Sequence, residues 1–157
     1  MKSILKLSLA ALAVLLLASC GGKARRVSPP STAIQQLTVQ DNGGWAVDLR
    51  VHNFSSVAMR FDAIRLEVSV DEHVAGTLRA TPATSIGPTS ADVVRVETRP
   101  EGMARIAVAD ALAGRRSLSY RLKGVVTATP EEGKPRDFEA DDSSSLNPAP
   151  GLEGVLR

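Results

Sequence analysis

The stretch WAVDLRV, residues 45–51, alternates strictly between large apolar positions and polar or small ones. Every second residue from Trp45 to Val51 is large and apolar, and this period of two predicts a β-strand with one buried face. The preceding DNGG at 41–44 is a strong turn signal. We therefore expect IQQLTVQ, residues 34–40, to pair with this strand in a β-hairpin.

A second alternating stretch, VAMRFDAIRLEVSV at 57–70, is longer and carries one irregularity. Its apolar residues up to Phe61 hold one phase, those from Ile64 onward hold the other, and the phase slips at positions 62–63. A single slip inside a long strand is typical of a β-bulge, which lets the inner face of the strand follow a curved core.

The rest of the body is interpreted as further strands separated by turns and loops. Residues 71–73 are expected to turn, residues 81–90 to form an irregular loop, and residues 129–135 to turn again. Gly76 is expected to leave room for a close neighbour, and Gly124 to mark a second bulge. The expected strands are 74–80, 91–98, 115–129 and 136–144.

Residues 101–113, EGMARIAVADALA, break the two-residue period. Met103, Ile106 and Ala113 recur at helical spacing and Gly114 is a C-terminal stop signal, so we expect one short helix here. About seven strands with turn signals between them, and one helix, predict an all-β fold. The expected architecture is an immunoglobulin- or fibronectin-like antiparallel β-sandwich in a single domain.

The amino terminus has the layout of a secretory signal peptide. Lys2 and Lys6 precede an uncharged apolar run at residues 7–18. This run is shorter than the about 20 residues that a membrane-spanning helix needs. We therefore expect residues 1–19 to be a signal peptide rather than a transmembrane anchor.

The end of this run, Leu17, Ala18, Ser19 and Cys20, resembles the bacterial lipobox: an aliphatic residue, two small residues and a cysteine. The resemblance implies cleavage between Ser19 and Cys20, a diacylglycerol on the Cys20 sulfur and an N-acyl chain on the new amino terminus. Two or more acyl chains make anchoring stable. Gly21 is not the aspartate that commonly retains lipoproteins in the inner membrane, so the resemblance points to the periplasmic face of the outer membrane.

These features divide the chain into four parts. Residues 1–19 are the lipoprotein signal peptide, and residues 20–33 are the lipidated cysteine with a flexible tether rich in glycine, proline and serine. Residues 34–143 form the β-sandwich. Residues 144–157, rich in proline and glycine, are expected to be a loose C-terminal tail.

Charge and aromatic content argue against a nucleic-acid partner. Lys2 and Lys6 are the only charged residues of the first nineteen, so seventeen Lys and Arg face seventeen Asp and Glu in the rest of the chain. The mature part is neutral and offers no general attraction to polyanions. The few aromatic residues provide few stacking platforms for bases. They are Trp45, Tyr120, Phe54, Phe61 and Phe138.

No combination of residues in the sequence has the pattern of a catalytic or metal site. His52 and His73 are the only histidines, and we expect them to be solvated, on the outward phase of a strand and in a turn. The acidic pairs Glu131–Glu132 and Asp141–Asp142 are interpreted as solvated loop charges. Asn53, at a strand end, is interpreted as bonding the backbone of its own loop. We predict no enzyme activity, no cofactor besides the lipid, no metal and no small-molecule substrate.

The stretch LRVHNFSSVAMRFDAIRLEVSVDEHVAGTL, residues 49–78, resembles the water-stress-and-hypersensitive-response domain of group 2 late-embryogenesis-abundant (LEA) proteins. The match extends over about residues 34–140, although residues 53–55 depart from the Asn-Pro-Asn that the family often shows. The resemblance implies a seven-stranded sandwich with a short helix, a role in tolerance of stress such as desiccation, and no catalytic residues. The matching family positions are Val51, Asn53, Ala75, Gly76, Tyr120 and Gly124.

The expected function is therefore that of a membrane-anchored, non-enzymatic lipoprotein that protects or binds envelope components under stress. Its expected partners are membrane lipid, through the anchor, and envelope proteins. The stress role comes from the resemblance. The alternative is an accessory subunit of an envelope assembly or transport complex, in which an exposed sheet edge of this chain pairs with a partner's strand.

Overall fold

The computed structural model describes residues 25–157, which form nine strands and one helix. The predicted signal peptide, the lipobox with Cys20, and Gly21 lie outside the described residues. In chain order the elements are β1 (Ser31–Val39), β2 (Trp45–Asn53), β3 (Met59–Val70), β4 (His73–Ala80), β5 (Thr84–Ile86), β6 (Ser90–Thr98), α1 (Gly102–Gly114), β7 (Leu118–Pro130), β8 (Arg136–Leu146) and β9 (Val155–Leu156).

The strands form two antiparallel sheets that pack face to face. The first sheet has the order β6-β2-β1-β9, and the second has the order β4-β3-β7-β8. The short strand β5 also pairs with β3, where it continues the line of β4. The predicted all-β sandwich with one short helix is confirmed, and its seven long strands are the seven that the alternation indicates.

The two stretches that define the fold behave as their patterns predict. β1 and β2 form the expected hairpin, with Val39 paired to Trp45. The large apolar residues of β2 are almost fully buried. In β3 the pairing with β7 shifts between Phe61 and Ala63, which confirms the predicted bulge. Because of this shift, the apolar residues before and after it face the same core, and Phe61 and Ile64 are both buried.

Two segments expected to be irregular contribute short strands instead. The loop predicted at residues 81–90 contains β5, whose Ile86 is buried and pairs with Met59. The tail expected to be loose at residues 144–157 begins with the last residues of β8 and ends in β9, which pairs with β1. Val155 and Leu156 are buried, so burial of apolar side chains holds this tail against the sheet despite its proline and glycine content.

The predicted tether at residues 20–33 is held against the protein over its described part. We call residues 25–30 the N-terminal strap. The backbone N–H of Arg26 donates to Ser56 Oγ at 2.7 Å, and the N–H of Ser56 donates to the Arg26 carbonyl at 2.9 Å. The N–H of Ser28 donates to the buried Ser55 Oγ at 3.0 Å. Hydrogen bonds of its backbone to Ser55 and Ser56 therefore fix the strap, where its composition predicts a free linker.

The acidic pair Asp141–Asp142 lies within β8 rather than in a loop, so its interpretation as solvated loop charges is wrong. Asp142 Oδ2 accepts hydrogen bonds from both the N–H and the hydroxyl of Thr32, at 2.8 and 2.7 Å. Asp141 receives two bonds from the Arg121 guanidinium, both at 2.6 Å. Hydrogen bonding to Arg121 lowers the pKa of Asp141 and raises that of Arg121. The other acidic pair, Glu131–Glu132, lies in the turn after β7 and is exposed, as expected.

Candidate functional site

The sandwich presents two different ends. The strap, the loop at residues 54–58 and the turn at residues 131–135 meet at one end, where Arg25 forms an ion pair with Glu132. We call this the strap end. The β1–β2 turn at residues 40–44, α1 and the chain segment at residues 147–154 lie at the other, which we call the helix end.

Helix α1 packs through small residues and leaves its larger ones outside. Its buried residues are Ala104, Ala107, Val108 and Ala111, whereas Met103 and Ile106 are 56% and 54% exposed. The helix was predicted correctly, but its apolar stripe through Met103 and Ile106 is not the face that packs. Small side chains allow the helix to approach the sheets closely, and the larger apolar residues then point to solvent.

The end of this helix also differs from its sequence signal. Gly114 is the last residue of α1, but the left-handed conformation that terminates the helix belongs to Arg115, with φ of 48°. The N–H of Arg116 then donates to the carbonyl of Ala111. The predicted C-terminal end of the helix is therefore right, although the residue in the left-handed conformation is Arg115 and not the glycine.

A bulge in β4 positions the start of the helix. Gly76 pairs with Val68 and Val74 pairs with Ser69, so Ala75 is an extra residue between them. Gly76 has φ of 133°, and no atom approaches closely where its Cβ would be, so it is required for the backbone conformation rather than for a close neighbour. The carbonyl of Ala75 accepts the N–H of Glu101 at 3.0 Å, immediately before α1.

An apolar groove of about 500 Å³ runs between α1 and the β1–β2 hairpin. Among the described residues, Arg105 is the only charged residue that lines it, and no carboxylate or histidine does. The Arg105 guanidinium lies over Gly43. Its remaining lining residues are Val39, Trp45, Gly102, Ile106, Val108, Ala109 and Leu112.

A second depression, of about 910 Å³, continues this surface on the other side of the helix. It shares Ala109 and Leu112 with the groove and is closed by the segment at residues 147–154, where Leu152 is 46% exposed. The segment is held by reciprocal backbone bonds between Asn147 and Arg157. The helix end therefore presents a continuous, largely apolar surface on both sides of α1.

Sequence reasoning found the helix but missed this surface. The signal was present, because Met103 and Ile106 recur at helical spacing. This spacing predicts the helix, but a single sequence does not state which of two stripes packs against the sheets. The alanines at 104, 107 and 111 form the second stripe, and they are the ones that are buried.

Asn53 organises the loops of the strap end. It is fully buried, and its Nδ2 lies 2.9, 3.0 and 2.9 Å from the carbonyl oxygens of Val57, Ile86 and Gly87. Its Oδ1 accepts the N–H of Ser55 at 2.9 Å. The interpretation as a residue that bonds loop backbone is confirmed. Asn53 also ties β5 to the end of β2, which the sequence pattern did not indicate.

The remaining positions on which the resemblance rests, Val51, Tyr120 and Gly124, lie in strands of the two sheets. Val51 is fully buried, and the Tyr120 hydroxyl accepts the N–H of Ile34 at 3.1 Å. Gly124 pairs in regular register with Leu66, so it is not a bulge; a Cβ there would collide with the backbone carbonyl of Arg65. Neither these positions nor Asn53 lines the apolar groove.

The two histidines lie on strands of different sheets, His52 on β2 and His73 on β4. His52 lies in β2 and its ring stacks on that of Phe54, with ring centroids 3.9 Å apart. His73 is exposed and is the first residue of β4 rather than part of the turn, which Asp71 and Glu72 form with positive φ. Across residues 25–157, no three His, Cys, Asp or Glu side chains converge as they would around a metal ion. No helix in the same range is both long and apolar enough to cross a membrane.

No protein-family model and no curated protein matches the chain in sequence. Its fold is similar to that of solved structures at low identity. The solution structure of an Arabidopsis thaliana protein is 10% identical, with a TM-score of 0.50 over 80% of this chain and 82% of that chain. The solution structure of a protein described as late embryogenesis abundant is 12% identical, with a TM-score of 0.48 over 98% of this chain and 86% of that chain.

Proposed function

We propose that this chain is a lipid-anchored, non-catalytic envelope protein that binds apolar segments of other envelope proteins at its helix end. The observation that carries the proposal is the placement of the strap and the apolar groove at opposite ends of the sandwich. A protein held to a membrane through its amino terminus then presents its groove away from that membrane.

The anchor is the lipid proposed on Cys20. The signal peptide and the residues Leu17, Ala18 and Ser19 supply the pattern for cleavage and modification, and Gly21 favours the outer membrane. Each buried CH₂ of an acyl chain contributes about 0.8 kcal/mol, so two or more chains hold a protein stably. Metabolic labelling with radioactive palmitate tests the anchor, since wild-type protein should be labelled and membrane-bound. A Cys20→Ser variant that is equally membrane-bound would contradict it.

The groove would stand well clear of the membrane surface. β2 runs from the helix end at Trp45 to the strap end at Asn53. Nine residues of strand at about 3.3 Å each separate the two ends by roughly 30 Å. The groove is therefore accessible to proteins of the periplasm, and the strap end is not available to them while it faces lipid.

The composition of the groove selects an apolar occupant. Large apolar residues such as Ile106 and Trp45 line it, and within residues 25–157 a single arginine is the only charged residue of the lining. Exposed apolar patches of this kind on a soluble domain typically mark binding sites. Proteins that lose structure on drying expose apolar segments, so this surface fits the protective role that the LEA resemblance implies.

The test of this role uses a groove variant and a matched control. Ile106→Asp places a charge in the groove at a side chain that is already 54% exposed, and Val93→Asp does the same on β6, where Val93 is 40% exposed. Wild-type protein and the Val93 variant should reduce the loss of activity of a labile enzyme on drying and rehydration, and the Ile106 variant should not. Equal protection by all three proteins would contradict binding at the groove.

One observation favours the alternative, an accessory subunit of an envelope complex. Strand β6 pairs only with β2, so within the described residues one side of this nine-residue strand carries no paired neighbour. A partner's strand could pair there through backbone bonds. In-cell crosslinking separates the two roles, because a complex subunit should capture one partner at a fixed ratio and a protective protein should capture many.

A further inference from the structure

The strap end carries an exposed aromatic side chain. Phe54 is 42% exposed, although its neighbours Asn53 and Ser55 are fully buried. Its ring rests on His52, so it is held in place rather than free to fold back. The chain has one Trp, one Tyr and three Phe, and Phe54 is the only one of these that is exposed by more than a third.

The loop that carries Phe54 is fastened to the strap. Arg26 and Ser56 exchange two hydrogen bonds, one from the Arg26 N–H to Ser56 Oγ and one from the Ser56 N–H to the Arg26 carbonyl. In addition, the Arg26 guanidinium donates to the Phe54 carbonyl at 3.2 Å. Phe54 and the first described residues of the chain therefore form one unit. Any constraint on the position of Arg25 is also a constraint on Phe54.

The length of chain before Arg25 sets how far this unit can lie from a lipid on Cys20. Four residues lie between the two positions, so five residue steps join them, and a fully extended chain spans at most about 3.6 Å per step. The Cα of Arg25 therefore lies within about 18 Å of the Cα of Cys20. The lipid on Cys20 lies in the membrane, so this short connection keeps the strap end close to the membrane surface.

Charge at this end is nearly balanced. Arg25, Arg26 and Lys134 face Glu131 and Glu132, and Arg25 pairs with Glu132 at 2.5 Å. Electrostatic attraction alone would not bring the domain to a bilayer. An anchored domain, however, meets its own membrane at a high effective concentration, so a weak apolar contact is sufficient to orient it.

We propose that the strap end docks on the bilayer that holds the chain's own anchor, with Phe54 in the headgroup region and Arg26 and Lys134 beside lipid phosphates. This inference rests on the proposed lipidation of Cys20. It deepens that proposal by giving the anchored domain one orientation, in which the groove at the helix end points away from the membrane.

The experiment uses the lipidated protein in vesicles that contain a headgroup-linked fluorescence quencher. Because Cys20 is the only cysteine and carries the lipid, a new cysteine can be labelled selectively. A fluorophore at Glu131→Cys reports on the strap end, and one at Asp110→Cys reports on the helix end; both positions are exposed. Docking predicts that the label at position 131 is quenched several-fold more than the label at 110.

Variants separate docking from mere tethering. Phe54→Ser should reduce quenching at position 131 toward that at 110, whereas Val74→Ser, which removes an equally exposed apolar residue on β4, should not. Protein that floats with the vesicles but shows equal quenching at both positions would overturn docking and leave the anchor intact. Strong quenching at 131 that persists in Phe54→Ser would overturn the role of Phe54. Protein that fails to float would overturn the anchor itself.

Discussion

The hydroxyl of Tyr120, on β7, accepts a hydrogen bond from the backbone N–H of Ile34, on β1, across the two sheets at 3.1 Å. Two residues earlier on β1, the backbone N–H of Thr32 donates a hydrogen bond to Asp142 on β8. In the part of the chain that the structure describes, no strand pairs with this half of β1 on the side away from β2, because β9 reaches only Leu37 and Thr38. Side chains of one sheet therefore satisfy edge amides of the other, and an edge that would otherwise be open to pairing is blocked.

We expect Tyr120→Phe to destabilise the protein by about 1–3 kcal/mol, since the buried N–H of Ile34 would lose its acceptor while the ring remains. Urea denaturation followed by tryptophan fluorescence measures this change. Asp142→Asn, which retains a carbonyl acceptor, should cost less than Asp142→Ala. A Tyr120→Phe variant with an unchanged free energy of unfolding would contradict the role of this bond.

Gly124→Ala should destabilise the protein severely, because its Cβ would collide with the backbone carbonyl of Arg65 on the neighbouring strand. Backbone in the middle of a sheet cannot shift cheaply to relieve such a contact. Gly102→Ala is the matched control: no atom lies within 4 Å of that Cβ, and the residue is helical. The control should be neutral or up to about 1 kcal/mol more stable. Thermal midpoints that are equal for the two variants would refute this reading of Gly124.

Substitutions of Asn53 should separate the contribution of its amide hydrogen bonds to stability from that of the space its side chain fills. Asn53→Asp places a carboxylate beside three carbonyl oxygens in a buried site, so at neutral pH it should cost more than Asn53→Ala, which only removes the bonds. Urea titrations of both variants check the order. An aspartate variant as stable as the wild type would show that the amide donor is not required.

Asp71 should make the stability of the protein depend on acid pH. Its Oδ2 accepts a bond from Arg116 and its Oδ1 accepts the N–H and hydroxyl of Ser119, and the bond with Arg116 is the largest cause that lowers its pKa. Because the folded pKa lies below the unfolded value of about 3.9, this stabilisation is present above about pH 4 and is lost as the pH falls through the folded pKa.

The comparison of wild type with Asp71→Asn isolates this contribution. We expect the wild type to be more stable at neutral pH and the difference to shrink as the pH falls below about 4. Free energies of unfolding at a series of pH values provide the test. A difference that grows at acid pH would mean that the carboxylate of Asp71 opposes folding.

The strand pattern of this sequence was sufficient to predict the sandwich. Alternation at 45–51 and the phase slip at 62–63 correspond to a buried strand face and to a bulge, because a period of two directly encodes which side chains face the core. The role of Asn53 could also be predicted, because a strand-end asparagine typically hydrogen-bonds the backbone of its own loop. These features depend on residues close in sequence.

The features that sequence reasoning missed depend on distant partners. The bond between Tyr120 and Ile34 joins residues of different sheets, and β9 forms only because Val155 and Leu156 meet β1 at the end of the chain. The apolar groove was missed for a related reason: the helix has two apolar stripes, and the sheets it packs against decide which is buried. The polar composition of the strap predicts a linker, but Ser55 and Ser56 accept hydrogen bonds from its backbone. These two residues lie far from the strap in sequence.

The mass of the most amino-terminal peptide of the mature protein tests the central claim of a lipid-anchored domain most directly. After purification from membranes and digestion with trypsin, we expect this peptide to comprise residues 20–23 and to carry a diacylglycerol and an N-acyl chain on Cys20. A mature chain that begins at any other residue, or an unmodified Cys20 thiol in membrane-purified protein, would contradict it.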